Sequence, residues 1–483
     1  MTFDWIISKK PAAYKVALVA GRHMYDSKRG TYRAQGFFEA AHALGIAIIV
    51  LDEEGHWLQG DTYAHLRHDF VPVKLSETEG LSERLVKAVA SRDIDGLVTF
   101  TDEYVLATAA AAEKLGLPTE PLNAIQLAIH KHEMRQVVNN TGIQTLYLSN
   151  ASQIKQHAKS VAAFRYPLIL KPSCGRSSAG VVKVNNEVDM RAALNALDRN
   201  SLVEDGILIE QFIDGPELDC NFVLRDGKVL FLEVTDDLPC AGDANDATPN
   251  DDFFETVMIS NSGLPTKELQ MVETSLQDSL AKLGLSWGVF HAEARVQNSS
   301  MEYRDTESNG VLDLAVRKAG PLDYDTQASD AFLIEVNVRP PGVGGAWAAM
   351  YSYGVDYNAL QLLRAVEDRQ RYDALSQAFA FPRTSGGGGG AQYWMAQCMI
   401  PVHRDNIRVP GDFFARLYNE VPDIQQYVSK AELHAKPGSI VSKSGGVGLI
   451  AYLLLHSRTS RRHVLNMYHE VTSAARRVLD LNQ

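Results

Sequence analysis

Cysteine is scarce in this 483-residue chain. Its four residues, Cys174, Cys220, Cys240 and Cys398, make neither a disulfide framework nor a metal-binding spacing. A reducing cytoplasm suits such a chain, and a cytoplasmic location is expected. Long apolar runs are lacking too. Stretches such as Ile46–Leu51 are far too short to span a bilayer. The N-terminus, Met1-Thr-Phe-Asp-Trp-Ile-Ile-Ser-Lys-Lys, has neither the basic start nor the apolar core of a signal peptide, so no membrane partner is expected. Positive charge is in deficit: 47 Lys and Arg face 59 Asp and Glu, a net charge of −12. That balance argues against a nucleic-acid partner. Any anion must be held by a few aimed groups rather than by the overall field. What remains is an ordinary globular composition, with length for about three domains.

The first 120 or so residues alternate strand and helix signals. Lys15–Ala20, Ile46–Leu51 and Gly96–Thr101 read as strands, and Gly36–Leu44 reads as a helix. Glu103–Leu115 is an Ala-rich helix ended by Gly116 and Pro118. Such alternation predicts an open parallel sheet with helices on both faces. Ligands of these sheets sit beyond the carboxyl ends of the strands, where Thr101-Asp102-Glu103 lies. A helix-rich connector from about Leu122 to Asn140 leads to a second unit near Tyr166, with more antiparallel character. Its strands are Leu168–Lys171, Gly180–Val184, Ile207–Glu210 and Leu218–Leu224. Ser385–Gly390 predicts a flexible linker. It opens a C-terminal region with strands at Gln392–Met399 and Val447–Leu455 and a closing helix, His463–Leu479.

One short run carries the most chemistry: Phe332-Leu-Ile-Glu-Val-Asn-Val-Arg339. A strand points alternate side chains to opposite faces. Glu335, Asn337 and Arg339 therefore share one face, with Ile334, Val336 and Val338 on the other. Carboxylate and amide oxygens suit a hard cation such as Mg²⁺, and a guanidinium suits phosphate or carboxylate. Alone, the run reads as a half-exposed strand. Three other segments accompany it. Lys171 ends an apolar strand before the small-residue loop Pro172–Gly180, which lets backbone N–H groups approach phosphate. It is not a P-loop. Ile209-Glu-Gln-Phe-Ile-Asp-Gly-Pro-Glu217 places Glu210 and Glu217 on either side of a turn, with the backbone of Gln211–Ile213 free to pair with a base edge. Trp287–Arg295 puts His291, Glu293 and Arg295 on one strand face, so Glu293 and Glu335 converge if the two strands are neighbours. Gln297–Ala331 between them reads as a surface insertion, and the acid-rich segment Glu233–Glu255 as a solvated loop.

Taken in order, these segments resemble the ATP-grasp superfamily over roughly residues 15 to 380. Within it the chain looks most similar to carboxylate–amine ligases of the L-amino-acid ligase and carnosine-synthase type. That narrower match rests on His130-Lys-His-Glu-Met-Arg135, Gly288-Val-Phe-His-Ala-Glu293 and Arg339-Pro-Pro-Gly-Val-Gly-Gly345. The resemblance implies an α/β and α+β multidomain fold. An open parallel α/β pre-ATP-grasp domain (1–120) and a helical connector (121–165) would precede a two-lobed ATP-grasp domain. The small nucleotide-binding lobe would span 166–235 and the large metal-bearing lobe 236–384, followed by a sheet-containing C-terminal α+β region (385–483).

The resemblance also implies roles. Lys131 and Lys171 match the lysines on the α- and β-phosphates, and Ser177, Ser178, Ala179 and Gly180 the loop over the γ-phosphate. Glu210, Gln211 and Ile213 match the adenine hinge, and Glu217 the ribose carboxylate. Glu293, Glu335 and Asn337 match the ligands of Mg²⁺, two ions replaceable by Mn²⁺. Arg339 matches the arginine that steadies the acyl phosphate or its precursor. Lys171 and His291 join it as catalytic candidates, and Glu103 sits where related ligases place an acid near the substrate amine. The chain departs from the pattern in the length of 297–331 and in His130, where Asp or Asn is common.

The expected activity is ATP-dependent joining of a small carboxylate, as an amino acid or other carboxylic acid, to an amine. It would run through an acyl phosphate, with ADP and phosphate released. The alternatives are a biotin-carboxylase-like enzyme that activates bicarbonate and a non-catalytic nucleotide-binding protein. The first predicts a Met-Lys-Met carrier segment or a carrier partner, and this chain has no such segment. The second is disfavoured because Lys171, Glu335 and Asn337 are all present. Related ligases are often dimers, so a homodimer is the assembly the resemblance suggests.

Overall fold

A computed structural model describes residues 14–26, 31–138, 142–155, 157, 163–175, 178–197, 204–249, 251–318, 328–379, 381, 390–443 and 448–480. Ser177, and the linker Ser385–Gly390 apart from Gly390, lie outside them. Strands β1 (Lys15–Val19), β2 (Ala47–Asp52), β3 (Asp69–Pro72) and β4 (Gly96–Thr99) form a parallel sheet in the order β3-β2-β1-β4. Its strands are continuous apolar runs because both faces are covered. Val16, Leu18, Ile48 and Val50 pack on Phe37 and Phe38 of the helix Gln35–Leu44. Ala17, Val19, Ile49 and Leu51 pack on the far side with Leu81, Leu85 and Ala111. Strand order reverses between β1 and β4, so a ligand crevice opens beyond Val19 and Thr99.

The helices Leu122–Ile129 and Lys131–Val137 follow, broken at His130, whose backbone is extended. Strands β5 (Thr145–Leu148), β6 (Leu168–Pro172), β7 (Val182–Val184) and β8 (Ile207–Gln211) make a small antiparallel sheet in the order β5-β8-β6-β7. The eight-stranded sheet comprises β9 (Glu217–Arg225), β10 (Lys228–Asp237), β11 (Val257–Ser260), β12 (Gly288–Gln297), β13 (Asp330–Asn337), β14 (Trp394–Pro401), β15 (Val428–Leu433) and β16 (Leu449–Ser457). Its order is β13-β12-β9-β10-β11-β14-β16-β15, antiparallel throughout. The helix Thr266–Leu283 covers one half through Val272, Leu276 and Leu280, and the helix Arg461–Asp480 covers the other through Val464, Val471 and Val478. Among the described residues no helix is long and apolar enough to cross a membrane.

Three expectations need correction. The small sheet ends at Gln211 rather than near residue 235, because β9 and β10 pair into the large sheet. The turn between β8 and β9 is tight: a Cβ on Gly215 would lie 1.7 Å from the Val296 carbonyl oxygen. Thr145–Leu148, assigned to the helical connector, is a strand of the small sheet. As expected, the C-terminal region contains sheet: β14, β15 and β16 extend the large sheet through the pairing of β14 with β11, and Ile407–Arg408 pairs with Ile440–Val441 as a separate two-stranded sheet. Finally, β13 carries a bulge. Glu293 pairs with Glu335 and Ala294 with Leu333, so Ile334 is an extra residue. A bulge turns the local side chain about the strand axis, and Ile334 lines the cleft instead of sharing the buried face of Val336. The insertion keeps clear of this pairing, folding in part as a hairpin of Met301–Arg304 and Asp313–Val316.

Candidate active site

The cleft between the small and large sheets gathers most of the residues picked from sequence. Lys131, Lys171, Ser178, Ala179, Glu210, Gln211, Ile213, Glu217, Glu293, Glu335, Asn337 and Arg339 all line it. Gly180 does not. It turns behind Pro172 at φ 76°, a backbone conformation that suits glycine. Ile169, Val181, Phe332 and Ile334 add apolar walls around the hinge.

Each buried cation of this cleft holds a carboxylate. Lys131 Nζ lies 2.7 Å from Glu335 Oε2. Burial opposes its charge, yet Glu335 and Glu293 outweigh it and raise the ammonium pKa. Lys171 Nζ lies 2.6 Å from Glu210 Oε2, and Arg135 Nε lies 2.6 Å from Glu210 Oε1. The Glu210 side chain is thereby committed to this buried triad, so it positions Lys171 instead of reading a base. The hinge backbone is available only in part. Gln211 N donates to Gln144 O at 3.1 Å, Phe212 N donates to Pro167 O at 3.0 Å, and Ile213 O accepts from Arg295 Nη1 at 3.0 Å. Among the described residues the Ile213 amide donates to no acceptor. Glu217 accepts from Arg295 Nε at 2.8 Å through Oε2.

The metal face follows from register. Glu293 and Glu335 are cross-strand partners, as are His291 and Asn337. Burial first, then Glu335, Asp219, Glu255 and Glu217, push the Glu293 carboxyl well above its ordinary range. Glu255 is raised to about 7, by burial and then by Glu217 and Glu335. Crowded carboxylates of this kind are relieved by a divalent cation. Among the described residues no three His, Cys, Asp or Glu side chains form a ready-made cage. Two carboxylates and an amide nevertheless fit Mg²⁺, which characteristically takes one or two protein carboxylates and completes its shell with phosphate and water.

A second compartment continues the cleft past Ser178, Phe253, Glu255, Glu293 and Arg339, and encloses His291, Asp219, Arg33, Gln397 and His434. His291 therefore faces this compartment and not the nucleotide slot. Asn221 Nδ2 donates to Glu233 Oε2 at 3.0 Å, which turns its Oδ1 to accept from His291 Nδ1 at 2.9 Å. His291 Nε2 is left as an acceptor, 3.7 Å from Glu293 Oε1 and 4.0 Å from Asp219 Oδ1. Burial, then Arg339, lowers its pKa to about 3, so the imidazole is a neutral hydrogen-bonding group and a poor base. Arg339 spans the two compartments and grips Asp102, with Nη2 to Oδ2 at 2.6 Å.

Glu103 is exposed and lines neither compartment, while Asp102 beside it lines the cleft. The one-turn helix Asp102–Tyr104 rotates the two acids apart. Other acids were missed or misread. Glu217, Asp219 and Asn221 alternate along β9, a period-two pattern legible in sequence. The acid-rich segment is not uniformly solvated: Asp236 is fully buried against Arg461 at 2.7 Å, and Glu255 faces the cleft.

Two family models match the chain: the ATP-grasp N-terminal domain over residues 38–119 and the ATP-grasp domain over residues 164–311. The chain is 33% identical over 488 residues to the ATP-grasp enzyme fsqD of Aspergillus fumigatus, covering 99% of this chain and 81% of that one. It is 23% identical to alanine–anticapsin ligase of Bacillus subtilis over 53% of this chain and 54% of that one. It is 24% identical to mouse (Mus musculus) carnosine synthase 1 over 57% of this chain and 36% of that one. Among solved structures, an L-amino acid ligase from Bacillus licheniformis superposes with a TM-score of 0.69 at 19% identity, covering 95% of this chain and 97% of that one.

Proposed function

The chain belongs to the ATP-grasp family, and from that premise we propose that it is a carboxylate–amine ligase joining two small molecules, at least one an amino acid, with ATP cleaved to ADP and phosphate. The observation that carries this reading is the pairing of Glu293 with Glu335 beside Lys131, at the junction of a nucleotide-sized slot and a second compartment. Relatives named as an alanine–anticapsin ligase and a carnosine synthase support the ligase class. The second compartment includes Phe253, Phe254, Met258, Met399, Leu449 and Tyr452. So large and apolar a space favours an organic substrate over bicarbonate.

A carboxylate resists attack because its oxygen is a poor leaving group. Transfer of the γ-phosphoryl group to that oxygen makes an acyl phosphate. The amine lone pair then attacks the carbonyl carbon, a C–N bond forms, and the C–O bond to phosphate breaks with phosphate leaving. Positioning and charge neutralisation do most of this work. Lys171, fixed by Glu210, and Lys131, on release from Glu335, would meet the phosphates. The Ile213 amide would meet the base, with Ile334 and Phe332 against its face. Glu293, Glu335 and Asn337 would hold Mg²⁺, as two ions. Bound there, the metal would neutralise phosphate charge and draw the two carboxylates together. Arg339 would steady the transferring group. Asp219, whose pKa burial and then Glu255 hold well above the ordinary range, is better suited than His291 to take the amine proton. Ser178 and Ala179 cover the junction, where water must be excluded.

The test is ADP and phosphate release on a screen of amino-acid pairs with Mg²⁺-ATP, with products weighed by mass spectrometry. The reading predicts stoichiometric ADP and a product equal to acid plus amine minus water, abolished by Glu335→Gln. AMP and pyrophosphate would contradict it.

A further inference from the structure

Past Pro341, the second compartment narrows into a slot lined by Arg22, Arg33, Phe37, Phe100 and Trp347. The slot lies at the carboxyl end of β1, at the switch point where parallel sheets receive ligands. Here the chain is strained: Ala20 and Arg22 both adopt left-handed backbone, at φ 65° and 57°. A residue with a Cβ pays for that conformation, and such strain clusters at functional sites. The Arg22 guanidinium is also short of partners. Among the described residues no carboxylate or carbonyl accepts a hydrogen bond from it. Arg33 has Glu432 at 3.4 Å, and Arg339 has Asp102. Among the described residues, three guanidiniums from separate segments thus share two carboxylates. Burial, and next the Arg339 charge, lower the Arg22 pKa to about 10, against the opposing charge of Asp102. Among the described residues the buried Nε2 of His434 has no hydrogen-bond partner, and this side chain lines the adjoining compartment with Arg33.

We propose that Arg22 and Arg33 bind the spectator carboxylate of an α-amino acid whose amine is the nucleophile, so that the product keeps a free carboxylate. This rests on the ligase reading. Two carboxylates must be told apart in such an enzyme: the one to be phosphorylated, beside the metal face and Arg339, and the one left untouched. The arginine slot lies on the far side of Arg339 from the nucleotide, so an anion held there is out of reach of phosphoryl transfer. The slot itself holds little more than a water molecule, so the carboxylate head would sit at its mouth, where Arg33 also lines the wider space beside Met258 and Tyr452. Guanidinium suits a planar, two-oxygen anion better than a point charge does.

Calorimetric titration of the protein loaded with Mg²⁺ and the non-hydrolysable analogue AMP-PNP tests this, using the twenty proteinogenic amino acids and their methyl esters. At least one free amino acid should bind about ten- to a hundredfold tighter than its ester. That preference should collapse in Arg22→Gln and Arg33→Gln, with AMP-PNP affinity unchanged as proof of an intact fold. Arg22→Lys should recover part of it. Equal binding of acid and ester, binding of no amino acid, or a preference that survives both Gln variants would overturn the proposal, the last placing the recognised carboxylate at Arg339. The ligase reading fails separately. Acid-selective binding with no ADP release from any acid–amine pair would sink that reading and leave the anion subsite standing.

Discussion

The nucleotide end and the acceptor end of the cleft are built on opposite plans. At the nucleotide end Lys131 is matched by Glu335, Lys171 and Arg135 by Glu210, and Arg295 by Glu217. At the acceptor end Arg22, Arg33 and Arg339 share Asp102 and Glu432. Internal pairing keeps charges buried without a ligand but must be partly exchanged when one arrives. Incomplete pairing leaves charge waiting. The first plan suits an invariant ligand such as Mg²⁺-ATP, the second a substrate whose carboxylate supplies the missing partner.

Variants can break or sharpen this contrast. Removing the nucleotide end should have the largest effect: Lys171→Ala or Glu335→Gln should cut ADP release by about 10³-fold, read in the coupled ADP assay. Breaking the internal pairing should cost stability next. Glu210→Ala leaves the buried Lys171 and Arg135 cations without their shared carboxylate, and should lower unfolding free energy by about 3–5 kcal/mol in urea titrations. A comparable loss on removing Arg22, which among the described residues has no such partner, would erase the distinction between the ends. A smaller effect is expected at the bulge. Ile334→Ala should weaken ATP binding by about tenfold while leaving amino-acid binding unchanged, as calorimetry would show.

The smallest effect is a pH dependence behind the acceptor end. Burial raises the Glu233 pKa from an ordinary 4.5 to about 7, despite hydrogen bonds from Asn221, Tyr357 and Ser260 that favour its ionised form. Because the folded pKa is the higher one, the protonated carboxyl stabilises the fold at low pH. That contribution is lost as pH rises from about 4.5 through about 7. Glu233→Gln should flatten the Tm profile across this window, and an unchanged profile would refute the assignment.

Much of this architecture was legible in the chain. Continuous apolar runs such as Ala17–Leu18–Val19 mark a sheet covered on both faces, and the Glu335-Val-Asn337 alternation marks the metal face. The bulge was not legible. Nothing local distinguishes Ile334 from Val336, because the extra residue is absorbed by pairing with a strand that begins more than 40 residues earlier. Asp102 and Glu103 are adjacent acids whose roles are separated by a single helical turn. Arg135 belongs to the segment His130–Arg135, but its partner Glu210 lies 75 residues away, so its part in the triad emerges only from packing. Arg22 belongs to a loop whose strained backbone leaves no sequence mark.

The most direct test of the central claim follows an oxygen atom. The carboxylic substrate, once identified by the ADP screen, would be labelled with ¹⁸O in its carboxyl group and consumed with Mg²⁺-ATP and amine. The account predicts one ¹⁸O transferred to inorganic phosphate for each amide formed, since the carboxylate oxygen leaves with the γ-phosphoryl group. Label found in AMP, or amide formed with no label in phosphate, would contradict it.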